Sequence, residues 1–401
     1  MTNIHLPVPG RHAPAPTPAP SGWPLLRLGF RPFYLGAAVS AVLLMLLWQG
    51  MLSGVLLPAT GLSPVLWHAH EMLFGFVIAV IVGFLFTAGQ LWTGLPTPRG
   101  AQLGALALLW AAARFAALLA PYPVFFFLDV LFLPLVAATF VDLLVRSGNR
   151  RNAGVGALLV LLALANLVFH LGASGALALD PLRALYAALA GVLVLESLIG
   201  GRVIPAFTRS VTPGAVLRES PALDRAAIAA MALGLALWVA GVAAGASAAL
   251  LALAALLHAV RLAGWSPWLS RRRPVLWILH ASYAWIPLGL ALLAAAQAGV
   301  LPASAGVHAL AVGATGGLII GMLTRTARGH TGRPVQASRV EVAAYGLVMA
   351  AAALRVGATL FPKAYMALLG AAGLAWTLAF ALYLLRFAPW LLAPRADGRD
   401  G

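Results

Sequence analysis

The sequence predicts an all-α polytopic membrane protein, a bundle of about twelve transmembrane helices with both termini in the cytoplasm. Three observations predict it. Hydrophobic residues make up 62% of the 401 and charged residues only 9%, whereas a soluble domain is nearer half apolar and a quarter charged. Apolar stretches long enough to cross ~30 Å of hydrocarbon follow one another along the chain. Basic residues fall in every second loop.

Residues 1–24 form a Pro/Ala-rich tail with no apolar core. It lacks the apolar h-region and cleavage site of a signal peptide and is predicted to be a disordered cytoplasmic tail. Residues 25–33 are short, basic and aromatic, which places them at the membrane interface. Spans are predicted at 34–56, 66–91, 101–120, 123–146, 153–175, 182–204, 225–244, 246–264, 274–298, 303–326, 338–359 and 364–390. Only the stretch from Gly241 to Gly245 divides the seventh from the eighth. All must be helices, because an open strand cannot satisfy its backbone in lipid. Together they make one transmembrane domain over 25–392, followed by a short tail over 393–401. No loop is long enough for a separate soluble domain.

Lys and Arg number 26 against 10 Asp and Glu. Of those 26, 22 lie in or beside the terminal segments and the even-numbered loops, for example Arg146, Arg150 and Arg151, or Arg271, Arg272 and Arg273. The positive-inside rule then puts both termini in the cytoplasm, which needs an even number of spans. The basic excess is a topology signal, and the expected partner is the lipid bilayer, not nucleic acid.

There is no cysteine. That excludes disulfides, cysteine-ligated iron–sulfur clusters, thiolate copper sites and covalent c-type haem. A transition metal must therefore use His, Met or carboxylate ligands, and nine histidines are available. His68 and His70 start the second span beside Glu71 and Met72. Two positions apart, they point to different faces of a regular helix. Glu71 is suited to orient a ligand histidine by accepting its second N–H. His170 follows Asn166 near the outer end of the fifth span, and His308 follows Pro302 near the outer end of the tenth. These four histidines share one outer depth. Two imidazoles from different helices at one level are what bis-histidine ligation of haem b requires. The plain alternative is a set of water-facing histidines at helix ends.

His258 and His280 fall toward the cytoplasmic side and His330 in a cytoplasmic loop, a candidate inner metal site. Their plain reading is a lone helix-end residue and a solvated loop residue. Arg114 and Asp129 lie at similar outer depth and are expected to pair, as are Asp142 and Arg146 one turn apart. Glu196 is near mid-membrane and is a proton-relay candidate. The basic stretch 201–209 suits a phosphate or a haem propionate, or is a cytoplasmic cap. The glycines at 313, 316, 317 and 321 read as close helix packing or close cofactor approach. They are no nucleotide motif, since no strand precedes them.

Several stretches together are distinctive: WHAHEMLFGF (67–76), GFLFTAGQLWTG (83–94), GRVIPAFTR (201–209), LHASYAWIPLG (279–289) and HALAVGATGGLIIGMLTRTARGHTGRP (308–334). In these the chain resembles the NnrS family of bacterial inner-membrane proteins. The resemblance implies a polytopic haem- and copper-containing protein linked to nitric oxide metabolism, nitrosative-stress resistance and denitrification. The matching motif residues are His68, His70, His280, His308 and His330, with Glu71 beside them. Haem b is then expected between His308 and one of His68 and His70. Copper is expected with His170 and the remaining outer histidine, or inside near His280. Nitric oxide or a nitrosyl species and a membrane redox partner are the implied partners. Six-coordinate iron would pass electrons, and an open position would bind nitric oxide. The alternative is a twelve-helix transporter for a metal, haem or small nitrosylated complex, with Glu196 or Glu71 as its proton-coupled group.

Overall fold

The computed structural model describes residues 22–399, and every regular element among them is a helix. Twelve helices are long and apolar enough to cross a membrane: α1 Phe30–Leu52, α2 Pro64–Thr93, α3 Gly100–Leu119, α4 Tyr122–Arg146, α5 Arg150–Ala173, α6 Pro181–Val211, α7 Pro221–Ala240, α8 Ala244–Gly264, α9 Pro274–Gln297, α10 Ala303–His330, α11 Arg339–Leu360 and α12 Pro362–Leu392. The tail predicted over 1–24 lies outside the described residues except for 22–24.

Local chemistry sets the helix ends. Ser63 accepts from the Leu66 backbone N–H and Pro64 follows it, so α2 begins at the second span's first residues. This is an N-cap with proline at the first helical position. Asp180 with Pro181 and Ser220 with Pro221 start α6 and α7 in the same way. Ser338 and Glu341 form a capping box at α11. Gly241 closes α7 in the left-handed conformation, φ +70°, which only glycine adopts freely. The division between α7 and α8 is therefore real.

Several boundaries differ from the sequence reading; α6, for example, runs on to Val211, seven residues past the predicted end, so the basic stretch 201–209 is helical. The first helix begins at Phe30, four residues earlier than predicted, because Arg31 is buried at the helix start. The tenth runs on to His330, which closes a helix instead of sitting in a loop.

Consecutive helices pack as antiparallel neighbours, and α1 lies against both α2 and α12. Arg31 Nη1 donates to the carbonyls of Leu391 (2.9 Å) and Ala393 (2.7 Å), so the start of α1 meets the end of α12. The C-terminal residues continue over the end of α10, where Arg395 donates to the His330 carbonyl. Burial ranks the helices. Of the apolar windows of α2 and α10, 78% and 72% are buried, against 33–56% in the others. These two helices, which carry His68, His70 and His308, are the centre of the bundle, and the rest shield them from lipid.

Candidate metal and cofactor sites

The central helices share an irregularity. Directly after His70, α2 widens into π-helical turns over Glu71–Val77. Directly after His308, α10 does the same over Ala309–Gly316. Such turns shift the side-chain register and occur mostly at functional sites. Between the two helices lies a cavity of about 460 Å³ lined by Trp48, His68, Met72, His308, Thr315 and Arg355 among others. That volume is in the range of small-molecule sites.

Its polar groups are placed by neighbours. His308 Nδ1 donates to the Ser304 carbonyl one turn earlier, at 2.8 Å. That bond fixes the tautomer and leaves Nε2 with its lone pair. The His68 ring stacks on Trp48, with centroids 4.4 Å apart and planes at 16°. His68 Nδ1 is buried with no hydrogen-bond partner. Arg355 donates to Thr359 Oγ1 and Ser304 Oγ. Among the described residues no carboxylate pairs with it.

A second polar cluster joins α2, α3, α4 and α5. His70 Nδ1 is 3.0 Å from Glu71 Oε1, and His70 Nε2 is 3.0 Å from Asn166 Oδ1 and 3.3 Å from Asp129 Oδ2. His170 Nε2 is 3.1 Å from the same Asp129 oxygen, while its Nδ1 meets the Tyr122 hydroxyl at 3.0 Å. Asn166 Nδ2 donates to Asp129 Oδ2 at 2.7 Å, which sets the amide orientation. Arg114 bonds Glu71 at 2.6 Å and pairs with Asp129. One ligand atom each from His70, Asp129 and His170 lies within 4.8 Å of the others, all three residues buried. Two carboxylates face one guanidinium, so the cluster accommodates one further positive charge. Both ring nitrogens of His70 face oxygen atoms of the cluster.

His68, His70, His170 and His308 therefore form two sites. His68 and His308 face the cavity, and His70 and His170 share Asp129. Met72 lines the cavity with His68, away from the His70 cluster.

His258, His280 and His330 are held separately. His258 Nδ1 bonds the Tyr283 hydroxyl at 2.8 Å, His280 Nε2 the Thr208 hydroxyl at 3.1 Å, and the His330 ring lies 5.5 Å from that of Phe30. They form no three-group ligand cluster among the described residues. In the basic stretch, Arg202 donates to Asn152 Oδ1 at 2.8 Å and Arg209 pairs with Glu219. The predicted pairs Arg114–Asp129 and Asp142–Arg146 both form.

Arg355, Trp48 and Tyr122 were not singled out by the sequence. An arginine inside a span is itself a signal of function, and it marks Arg355.

Residues 24–395 match the family model described as NnrS protein. No curated protein matches the chain. The family match runs from before α1 to beyond α12 and takes in both central helices and both polar sites, and the chain belongs to the NnrS family.

Proposed function

We propose that this chain is a haem b protein of nitric oxide metabolism in the bacterial cytoplasmic membrane, with both termini inside, and that His68 and His308 are the residues that would hold the haem iron. The observation that carries the reading is the shared cavity of these two histidines, on the two most buried helices. The residues present fit the group. His68 offers a buried nitrogen without a partner, His308 a lone pair fixed by Ser304, and Arg355 a cation for a propionate. Haem bound there would supply one-electron redox chemistry. The chain's own contribution is positioning. Trp48 fixes the His68 plane, Ser304 fixes the His308 tautomer, Arg355 would meet an anionic group of the haem, and the apolar wall excludes water.

Copper belongs, on the same reading, with His70, Asp129 and His170. Glu71 and Tyr122 hold the two Nδ1 atoms and aim both Nε2 atoms at one carboxylate oxygen, the usual orientation of metal-bound imidazoles. Glu71 Oε2 is also buried and unpartnered. A cuprous ion carries the single charge the cluster accommodates, and imidazole suits it. His280 and His330 then keep local roles.

The test is an optical spectrum of the detergent-purified protein, oxidised and then dithionite-reduced, with and without nitric oxide. A pyridine haemochrome assay gives the stoichiometry. Sharp reduced α and β bands at near one haem per chain are expected. A featureless spectrum after haem-replete growth overturns the reading and brings the transporter forward.

A further inference from the structure

The large cavity has a smaller companion. A space of about 100 Å³ is lined by Tyr34, Glu196 and otherwise apolar side chains, among them Val77 and Met322. Val77 also lines the large cavity. The two spaces are stacked along the helix axes. On α10 the large cavity takes residues from Ser304 to Thr315 and the small one from Leu318 to Met322. On α6 the large one takes Leu182 to Leu189 and the small one Leu195 to Ile204. The small cavity is therefore on the side of Arg209 and Arg328, and the large one on the side of His308.

Glu196 stands between them. It is about fifteen residues from either end of α6, or roughly 22 Å at ~1.5 Å rise per residue, which is mid-membrane. Thr315 Oγ1, in the wall of the large cavity, donates to Glu196 Oε2 at 3.2 Å. One hydrogen bond thus joins the two spaces. Among the described residues no cation pairs with Glu196. The small cavity is walled by α1, α2, α6, α9 and α10, and Tyr34 is its only other ionisable group. On α7 and α8, Asp224 and Arg261 bond each other, Arg261 also holds Ser197 and Tyr283, and His258 bonds the same Tyr283 hydroxyl. A carboxyl inside the membrane without a cation is a common site of proton exchange.

We infer that Glu196 is the proton-exchange residue between the Arg-rich face and the large cavity. When the large cavity gains negative charge, the Thr315 hydroxyl turns from donating to Glu196 to donating to water or ligand in that cavity, gives up its proton there, and takes the proton of the Glu196 carboxyl on the same oxygen. A hydroxyl serves because it both donates and accepts. The Glu196 carboxylate then takes one proton from water entering the small cavity. One O–H bond breaks and one forms at each oxygen, and no electron moves through the pair. The charge that drives the exchange is the electron of the proposed haem, so the inference rests on that reading.

The experiment is a redox titration of the purified full-length protein across pH. Wild type is expected to show a midpoint potential that falls with pH, by at most about 59 mV per pH unit, the value for a tenfold change in a one-electron couple. Glu196→Gln is expected to flatten that slope while keeping the haem bands, and Glu196→Asp to restore it. Haem bands present with equal slopes in wild type and E196Q overturn this inference and leave the haem reading intact. No haem bands in wild type overturn the haem reading itself. If E196Q does not fold, the reduced-minus-oxidised infrared difference of wild type decides. A carboxylic C=O band that shifts in D2O and in Thr315→Val is expected, and the absence of such a band overturns the inference.

Discussion

His68 and His70 stand two residues apart on α2 and serve different sites: His68 stacks on Trp48 in the large cavity, whereas His70 bonds Glu71 and Asn166 in the buried polar cluster. The separation makes a sharp prediction. His68→Ala and His308→Ala are each expected to take the haem content from near one per chain to near zero. His70→Ala is expected to keep the reduced haem bands and to lose copper. Pyridine haemochrome and metal analysis of the three purified variants check this. Equal haem loss in H68A and H70A would show that the split does not govern ligation.

Arg355 lines the same cavity and has no carboxylate partner among the described residues. A hydrogen bond to a charged group contributes about 1.5–3 kcal/mol, so Arg355→Leu is expected to weaken haem retention by roughly ten- to a hundredfold. Removing a nearby cation also disfavours the less positive reduced iron, and the midpoint potential is expected to fall. Haem transfer to a competing apoprotein measures the first effect and a redox titration the second. A variant with wild-type retention and potential would remove Arg355 from the site.

Much of the architecture was legible because its signals are long. Each span is a run of some twenty apolar residues, and the arginines mark every second loop, so helix number follows from length and charge alone. The common depth of His68, His70, His170 and His308 was legible for the same reason. Their grouping into pairs was not. The spacing puts His68 and His70 on different faces, but which group each meets comes from helices distant in the chain: His68 stacks on Trp48 of α1 and His70 meets Asn166 of α5. The partnership of His70 with His170 also needs Asp129 from a third helix, which no spacing reveals. Arg355 was missed because it stands alone in a span, without a motif around it.

Asp129 is the hub of the polar cluster. It faces His70, His170 and Asn166 with one oxygen and Arg114 with the other. Removing one partner of a buried ion pair typically costs about 3–5 kcal/mol. Asp129→Asn and Arg114→Gln are each expected to lose that order of stability, and D129N to lose copper as well. The double variant should cost clearly less than the two single losses added, because the partners share one network. Thermal melts in one detergent, with all four proteins side by side, measure the coupling. Strict additivity would mean that Arg114 and Asp129 act independently.

The glycines of α10 are required by close approach. A Cβ on Gly313 would press into the Trp285 indole of α9, and one on Gly306 would meet the Leu293 backbone nitrogen at 2.8 Å. Backbone cannot swing aside as a flexible side chain can, so α9 and α10 must separate. Overpacking of this kind costs typically 1–3 kcal/mol. Gly313 also lies in the π-helical turns that follow His308, so the displacement reaches the ligand. Gly313→Ala is therefore expected to lower both the melting temperature and the haem content. Gly346→Ala on α11 adds a Cβ with nothing within 4 Å and should match wild type in both. If G313A keeps full haem while melting early, the packing of α9 on α10 sets stability without setting the position of His308.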